Sequence, residues 1–118
     1  MNLRNIQQGH IVLTNCDPSV GYEIQKIRPT VVIQGKELNE LVHTFTVVPL
    51  TTGTEIVLPG DVIVIPDAIN RLQKTSIMRT SKLHSFDESR FLRVIGLCSP
   101  EVLKEAKEQI KKIFHLDE

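Results

Sequence analysis

The chain has no tryptophan, one tyrosine and four phenylalanines among its 118 residues, so an RNA surface built by stacking successive bases on aromatic rings is poorly supplied. Cysteine is scarce as well. Cys16 and Cys98 lie far apart, neither has a His or Cys neighbour at metal-ligand spacing, and two thiols do not make a disulfide framework. Both read as buried small apolar residues. Apolar stretches reach only about four residues, far short of a membrane span or a signal peptide, and a cytoplasmic protein is expected. Phosphate loops of the G-x-x-x-x-G-K-[ST] type, G-x-G-x-x-G, H-E-x-x-H and C-x-x-C are all missing, which argues against nucleotide and metal hydrolysis. The histidines His10, His43, His84 and His115 have no short mutual spacing, so neither a metal site nor a cofactor is expected.

What is present suits one small β domain. With 41% apolar residues, a chain of this length can bury roughly two-thirds of its unfolded surface without staples, and a single unit over residues 1–118 is expected. Segments rich in Val, Ile and Thr predict strands at Gly9–Cys16, Pro29–Gln34, Thr44–Leu50, Glu55–Leu58, Asp61–Ile65, Thr75–Leu83 and Arg93–Cys98. Asp17-Pro18-Ser19-Val20-Gly21 breaks the first strand, and Pro59-Gly60-Asp61 is expected to turn a hairpin. Many short antiparallel strands suggest a closed or partly closed barrel. The last segment changes period: Val102, Leu103, Ala106, Ile110, Ile113 and Phe114 recur every three or four residues, predicting an amphipathic helix. Ser99 as N-cap, Pro100 at the first position and Glu101 in the first turn mark its start. Its end is expected near Leu116, and its apolar face is expected to cap an open side of the barrel.

Net formal charge is zero, but its distribution is uneven. Glu37 to Asp67 holds five acids and no Lys or Arg, whereas Arg71 to Arg93 holds six basic residues against Asp87 and Glu88. A locally positive face, or simply a solvated strand and loop surface, accounts for the pattern.

Within this frame stands an ordered set of motifs: Gly9-His-Ile-Val-Leu13, Asp17-Pro-Ser-Val-Gly-Tyr-Glu23, Ile27-Arg-Pro-Thr-Val-Val-Ile33, Val48-Pro-Leu-Thr-Thr52, Val57-Leu-Pro-Gly60 and Ile95-Gly-Leu-Cys-Ser-Pro-Glu101. Taken in this order, they resemble the MazF/PemK toxin family over nearly the whole chain. The resemblance implies a mainly β fold, a small SH3-like barrel of the CcdB/MazF/PemK type with a C-terminal helix, usually a homodimer. It also implies a ribosome-independent endoribonuclease that cuts single-stranded mRNA at short sequences without a metal and is held inactive by an antitoxin. In that chemistry the ribose 2′-hydroxyl attacks the adjacent phosphate, and the protein moves protons and stabilises the phosphorane.

Carried over position by position, the resemblance implies that Arg28 is the main catalytic residue, a guanidinium able to donate two parallel hydrogen bonds to phosphate. Thr51 matches the second catalytic position, with Thr52 beside it as the fallback. Glu23 is expected either to accept the 2′-hydroxyl proton or to orient Arg28 through an ion pair. Without the resemblance, Arg28 reads as a surface residue paired to Glu23, and Thr51 and Thr52 as ordinary turn residues. Lys26, Thr52, Arg79, Lys82 and His84 are the candidate RNA contacts.

Three departures from the family pattern stand out, at His10, in the run Thr75-Ser-Ile-Met-Arg-Thr-Ser-Lys-Leu-His-Ser85 that replaces the usual D-S…D-Q-I-R-T, and at His84 within it. His10 stands where an aspartate usually follows the glycine, and His84 falls at a position usually held by arginine, so RNA binding there is expected to strengthen on acidification. Lys82, on the same presumed strand face as His84, is expected to substitute in part. A non-catalytic barrel binding RNA or a peptide is the main alternative. A CcdB-type gyrase inhibitor is a lesser one, because that branch acts through a tail containing tryptophan and this chain has none. An acidic, partly disordered antitoxin segment is expected to fold into the groove that receives RNA.

Overall fold

A computed structural model describes residues 2–53 and 55–118. Among these residues, seven antiparallel strands run in chain order: β1 His10–Asn15, β2 Ile27–Val32, β3 Thr44–Thr51, β4 Asp61–Val64, β5 Ser76–Arg79, β6 His84–Asp87 and β7 Phe91–Leu97. A one-turn helix α1, Lys36–Asn39, joins β2 to β3, and α2, Pro100–Ile113, follows β7. The sheet order is β4-β5-β3-β2-β1-β7, with β6 also paired to β3. β3 is the hub. Its first half pairs β6 through Phe45 and Phe86, its middle pairs β2 through Val48 and Val31, and its end pairs β5 through Thr51 and Ile77.

Because side chains alternate across a strand, the sheet buries apolar residues on both faces. Ile11, Val31, Val48, Leu50, Val62, Val64 and Met78 form one core, closed by Ala106 of α2 with Val102 and Ile110 beside it. Ile6, Val12, Val32, Phe45, Val47, Phe86 and Phe91 form the other, where the Phe45 and Phe91 rings stand 4.9 Å apart. Cys98 belongs to the first core and Cys16 to the second, both as free thiols. Burial raises the pKa of each, that of Cys98 to about 11, so both are poor nucleophiles near neutral pH.

α2 starts as read from sequence. Ser99 accepts a hydrogen bond from the Val102 amide, and Pro100 opens the first turn. It ends at Ile113 rather than near Leu116, because His115 takes φ 55 and breaks the helix. Three further expectations are corrected. Glu55–Leu58 is not a strand: the Leu58 amide donates to Asp61 and the Ile56 carbonyl accepts from Arg79, so side chains take the backbone groups that a ladder would use. Pro59-Gly60 therefore opens β4 rather than turning a hairpin, although Gly60 does adopt φ 90. Thr75–Leu83 is not one strand: it is broken by a single 3-10 turn at Thr80–Lys82, where the buried Thr80 hydroxyl donates to the Gly60 carbonyl at 2.7 Å. That break lies where the partner of β3 changes from β5 to β6.

Gly96 in β7 lies against the loop between β4 and β5, where a Cβ would run into the Asn70 carbonyl, and the Leu97 amide donates to Ile69 O at 3.1 Å. Gly96→Ala is expected to lower stability by about 2 kcal/mol through this overpacking, read as a shift of the urea midpoint at constant slope.

Candidate active-site groove

The end of the Val12-Val32-Val47 face opens into a groove of about 270 Å³ lined by Gly21–Gln25, Arg28, Pro49, Thr51, Arg79 and Lys82. Each side chain has a local reason for its direction. Arg28 pairs with Thr14 in β1, and Thr30 with Pro49 in β3, so Arg28, Thr30 and Pro49 lie on one face. Beneath them, the buried Thr14 and Thr30 hydroxyls meet at 2.9 Å and both reach the Val12 carbonyl. Arg28 Nε donates to the Gln25 carbonyl at 2.9 Å. Its guanidinium makes no ion pair among the described residues, which leaves its terminal N–H groups available to a ligand. Thr51 ends β3 on the same rim, and its hydroxyl accepts a long 3.4 Å hydrogen bond from the Gly53 amide.

Glu23 lines the groove without pairing to Arg28. Its Oε1 accepts from the Val20 amide at 2.6 Å, closing a turn of the β1–β2 loop. Lys82 projects from the 3-10 turn rather than from a strand, and its Nζ donates to the Tyr22 carbonyl at 3.0 Å. It thus holds the loop while bringing a positive charge to the groove, and it does not share a strand face with His84.

Arg79 is spent differently. Nε and a terminal nitrogen grip the two Asp61 carboxylate oxygens at 3.2 and 2.9 Å, and the same terminal nitrogen reaches Ile56 O at 2.8 Å. The Asp61 side chain is only 1% exposed and also accepts from the Leu58 amide. The arginine is therefore neutralised and clasps the loop after β3. Asp61, Gln25 and Tyr22 were not picked out by the sequence reading. Only the β4–β5 register, which sets Asp61 opposite Arg79, reveals the first, and Gln25 and Tyr22 act through backbone carbonyls that carry no sequence signature.

The remaining candidates lie elsewhere. Thr52 faces the opposite side of the sheet, in a separate groove. Lys26 is exposed at φ 67, with its amide donating to Asp17. His84 packs against Phe86 with ring centroids 4.5 Å apart and planes tilted by 53°, and it lines the neighbouring clefts around Glu23 and Ile24. His10 accepts from the Gln7 amide through Nδ1 at 2.8 Å, a bond that needs that nitrogen unprotonated, and burial lowers its pKa.

The model of the PemK-like, MazF-like toxins of type II toxin-antitoxin systems matches residues 7–114. The chain belongs to this family. Among solved structures, MazF of Deinococcus radiodurans superposes with a TM-score of 0.80 at 21% identity, over 93% of this chain and 96% of that one. The Mycobacterium tuberculosis toxin MazF-mt6 gives 0.74 at 23% identity, over 90% and 96%. An endoribonuclease in complex with its cognate antitoxin, from mycobacterial species, gives 0.76 at 14% identity, over 94% and 96%. No curated protein is a significant sequence match. The PemK/MazF-like barrel with its C-terminal helix is thus common to all of these, and no helix among the described residues is long and apolar enough to cross a membrane.

Two outcomes follow for this toxin-family barrel. Arg79→Ala, which strands a buried carboxylate, is expected to cost about 3 kcal/mol in denaturant unfolding, while Lys82→Ala shifts it by less than about 0.5 kcal/mol; equal, negligible effects would return Arg79 to the role of a solvent-held cation. The lowered pKa of His10 means that the unfolded chain binds its proton first as pH falls, so His10 favours the fold above the unfolded value of 6.5 and loses that contribution as pH drops through the folded value. Thermal melts from pH 7.5 to 5 should show a decline that is shallower in His10→Gln.

Proposed function

We propose that this chain is the toxin of a type II toxin-antitoxin pair and acts as a metal-independent endoribonuclease on single-stranded mRNA. The observation that carries the reading is the meeting of Arg28 and Thr51, distant in sequence, on one groove with the guanidinium's terminal N–H groups unpaired among the described residues. A phosphodiester seated there receives hydrogen bonds from the Arg28 fork and the Thr51 hydroxyl, donors that stabilise the charge gathering on non-bridging oxygens in the transition state. The substrate's 2′-oxygen attacks phosphorus, its proton passes to the Glu23 carboxylate, and the P–O5′ bond breaks. A 2′,3′-cyclic phosphate remains, and the 5′-oxygen leaves as a hydroxyl after taking a proton from solvent. Glu23 suits the base role better than the ion-pair role, because its carboxylate accepts from the Val20 amide and does not pair with Arg28.

Lys82 is a supporting cation on the groove lining, and His84 extends the track past Glu23 and Ile24. The homodimer and the cytoplasmic setting belong to the same reading. The antitoxin is proposed to present an acidic, partly disordered segment to this groove, competing with RNA for Arg28 and Lys82.

The deciding experiment incubates the protein with a long unstructured RNA in EDTA and an inhibitor of RNase A-type contaminants, beside Arg28→Ala. Cleavage at a few discrete sites with 5′-hydroxyl ends, falling at least about a hundredfold in the variant, is expected. A folded parent that cuts none of several RNAs would turn the reading to a binding-only barrel.

A further inference from the structure

On the reverse face of the same sheet lies a second groove, of about 480 Å³, whose charged lining is Arg71, Lys74 and Arg93. The register places it. Arg93 pairs with Leu13 and Leu13 with Pro29, one row across β7, β1 and β2, and Pro29 projects opposite to its neighbour Arg28. Thr52 stands on this rim just as Thr51 stands on the other, so the end of β3 is a wall between the two grooves.

The loop that carries Arg71 and Lys74 is firmly built. Asp67 turns its carboxylate inward to accept the Ile69 and Asn70 amides at 2.8 and 2.7 Å. Asn70, 2% exposed, accepts from Leu72 and donates to Ile65 O, and the loop packs against Gly96 of β7. This network holds Arg71 at φ 57. Asp67, the one acid of that loop, is therefore committed to backbone, and among the described residues Arg71, Lys74 and Arg93 form no ion pair. Among the described residues, no acid and no aromatic ring lines the groove. Unpaired cations suit phosphates, and the lack of rings removes base stacking.

We propose that this reverse-face groove binds the phosphodiester backbone of the RNA strand beyond the segment held at Arg28, independently of sequence. The inference rests on the reading of the chain as a ribonuclease. It makes the toxin's grip on RNA depend on strand length: short substrates fill only the Arg28 groove, and longer ones pass the Thr51-Thr52 wall to reach Arg71, Lys74 and Arg93.

The test compares the parent with a triple variant, Arg71→Gln, Lys74→Gln and Arg93→Gln, on two ligands: a cleavable RNA of about six nucleotides and a 2′-O-methyl strand of about twenty, which lacks the attacking hydroxyl. The triple variant should cut the short RNA at the parental rate, which also reports that it is folded. It should bind the long strand at least about tenfold more weakly, and its log affinity should fall with log salt less steeply by about 2, from three phosphates at roughly 0.7 each. Lys74→Glu alone should weaken long-strand binding in the same sense, a check should the triple variant not fold. Equal affinity of parent and variants for the long strand, with short-RNA cleavage intact, overturns this groove and leaves the ribonuclease standing. Parental polyglutamate binding that the triple variant loses, with long-strand binding unchanged, overturns it in favour of an acidic peptide. A parent that neither binds nor cuts the short RNA overturns the ribonuclease reading itself.

Discussion

The antiparallel register of β1, β2 and β3 is the constraint on which the rest depends. Ile11, Val31 and Val48 stand side by side on one face and are fully buried under α2. One residue along each strand, Val12, Thr30 and Pro49 stand on the other face, and Arg28 follows Thr30 two residues away on that face. A slip of one residue would turn Arg28 toward the α2 core and Ile11 toward the groove. Burial of the apolar rows therefore holds the guanidinium at the groove, and no separate interaction is needed to choose its face.

Around that register, charged side chains organise loops as much as they address a ligand. Arg79 and Asp61 neutralise each other and take up backbone groups of residues 56 and 58. Lys82 restrains the β1–β2 loop through Tyr22 O. Glu23 closes a turn within it. Arg28 differs because its side chain's one hydrogen bond among the described residues, from Nε to the Gln25 carbonyl, fixes its course without compensating its charge. A fixed, uncompensated cation beside a hydroxyl is the arrangement that phosphoryl chemistry uses, since donors already in place need little reorganisation as charge develops.

Much of the fold was legible because it rests on local patterns. The strands around Ile11, Val31 and Val47 showed as β-branched runs, and α2 showed through its three- and four-residue period and its Ser99-Pro100 start. The misreadings arose where side chains outcompete the ladder. Ile56 and Val57 have strand-forming chemistry, yet Arg79 and Asp61 hold the backbone on either side of them. The run Thr75 to Leu83 reads as one strand until Thr80 bonds to Gly60. Of the candidate site, Arg28, Thr51, Glu23, Arg79 and Lys82 come together at one groove, while Thr52, Lys26 and His84 do not.

By itself the sequence determined which segments can be strands or helix, where the cysteines would be buried and which family the chain resembles, because propensity, period and motif order act over a few neighbouring residues. Only the tertiary structure decided that Arg79 is neutralised, that Thr51 and Thr52 serve opposite faces, and that Arg71, Lys74 and Arg93 share a groove with no acid among its described lining residues. Those outcomes turn on pairings across 18 residues or more, such as Asp61 with Arg79 and Leu13 with Arg93, and such pairings exist only once buried rows have brought the strands into register.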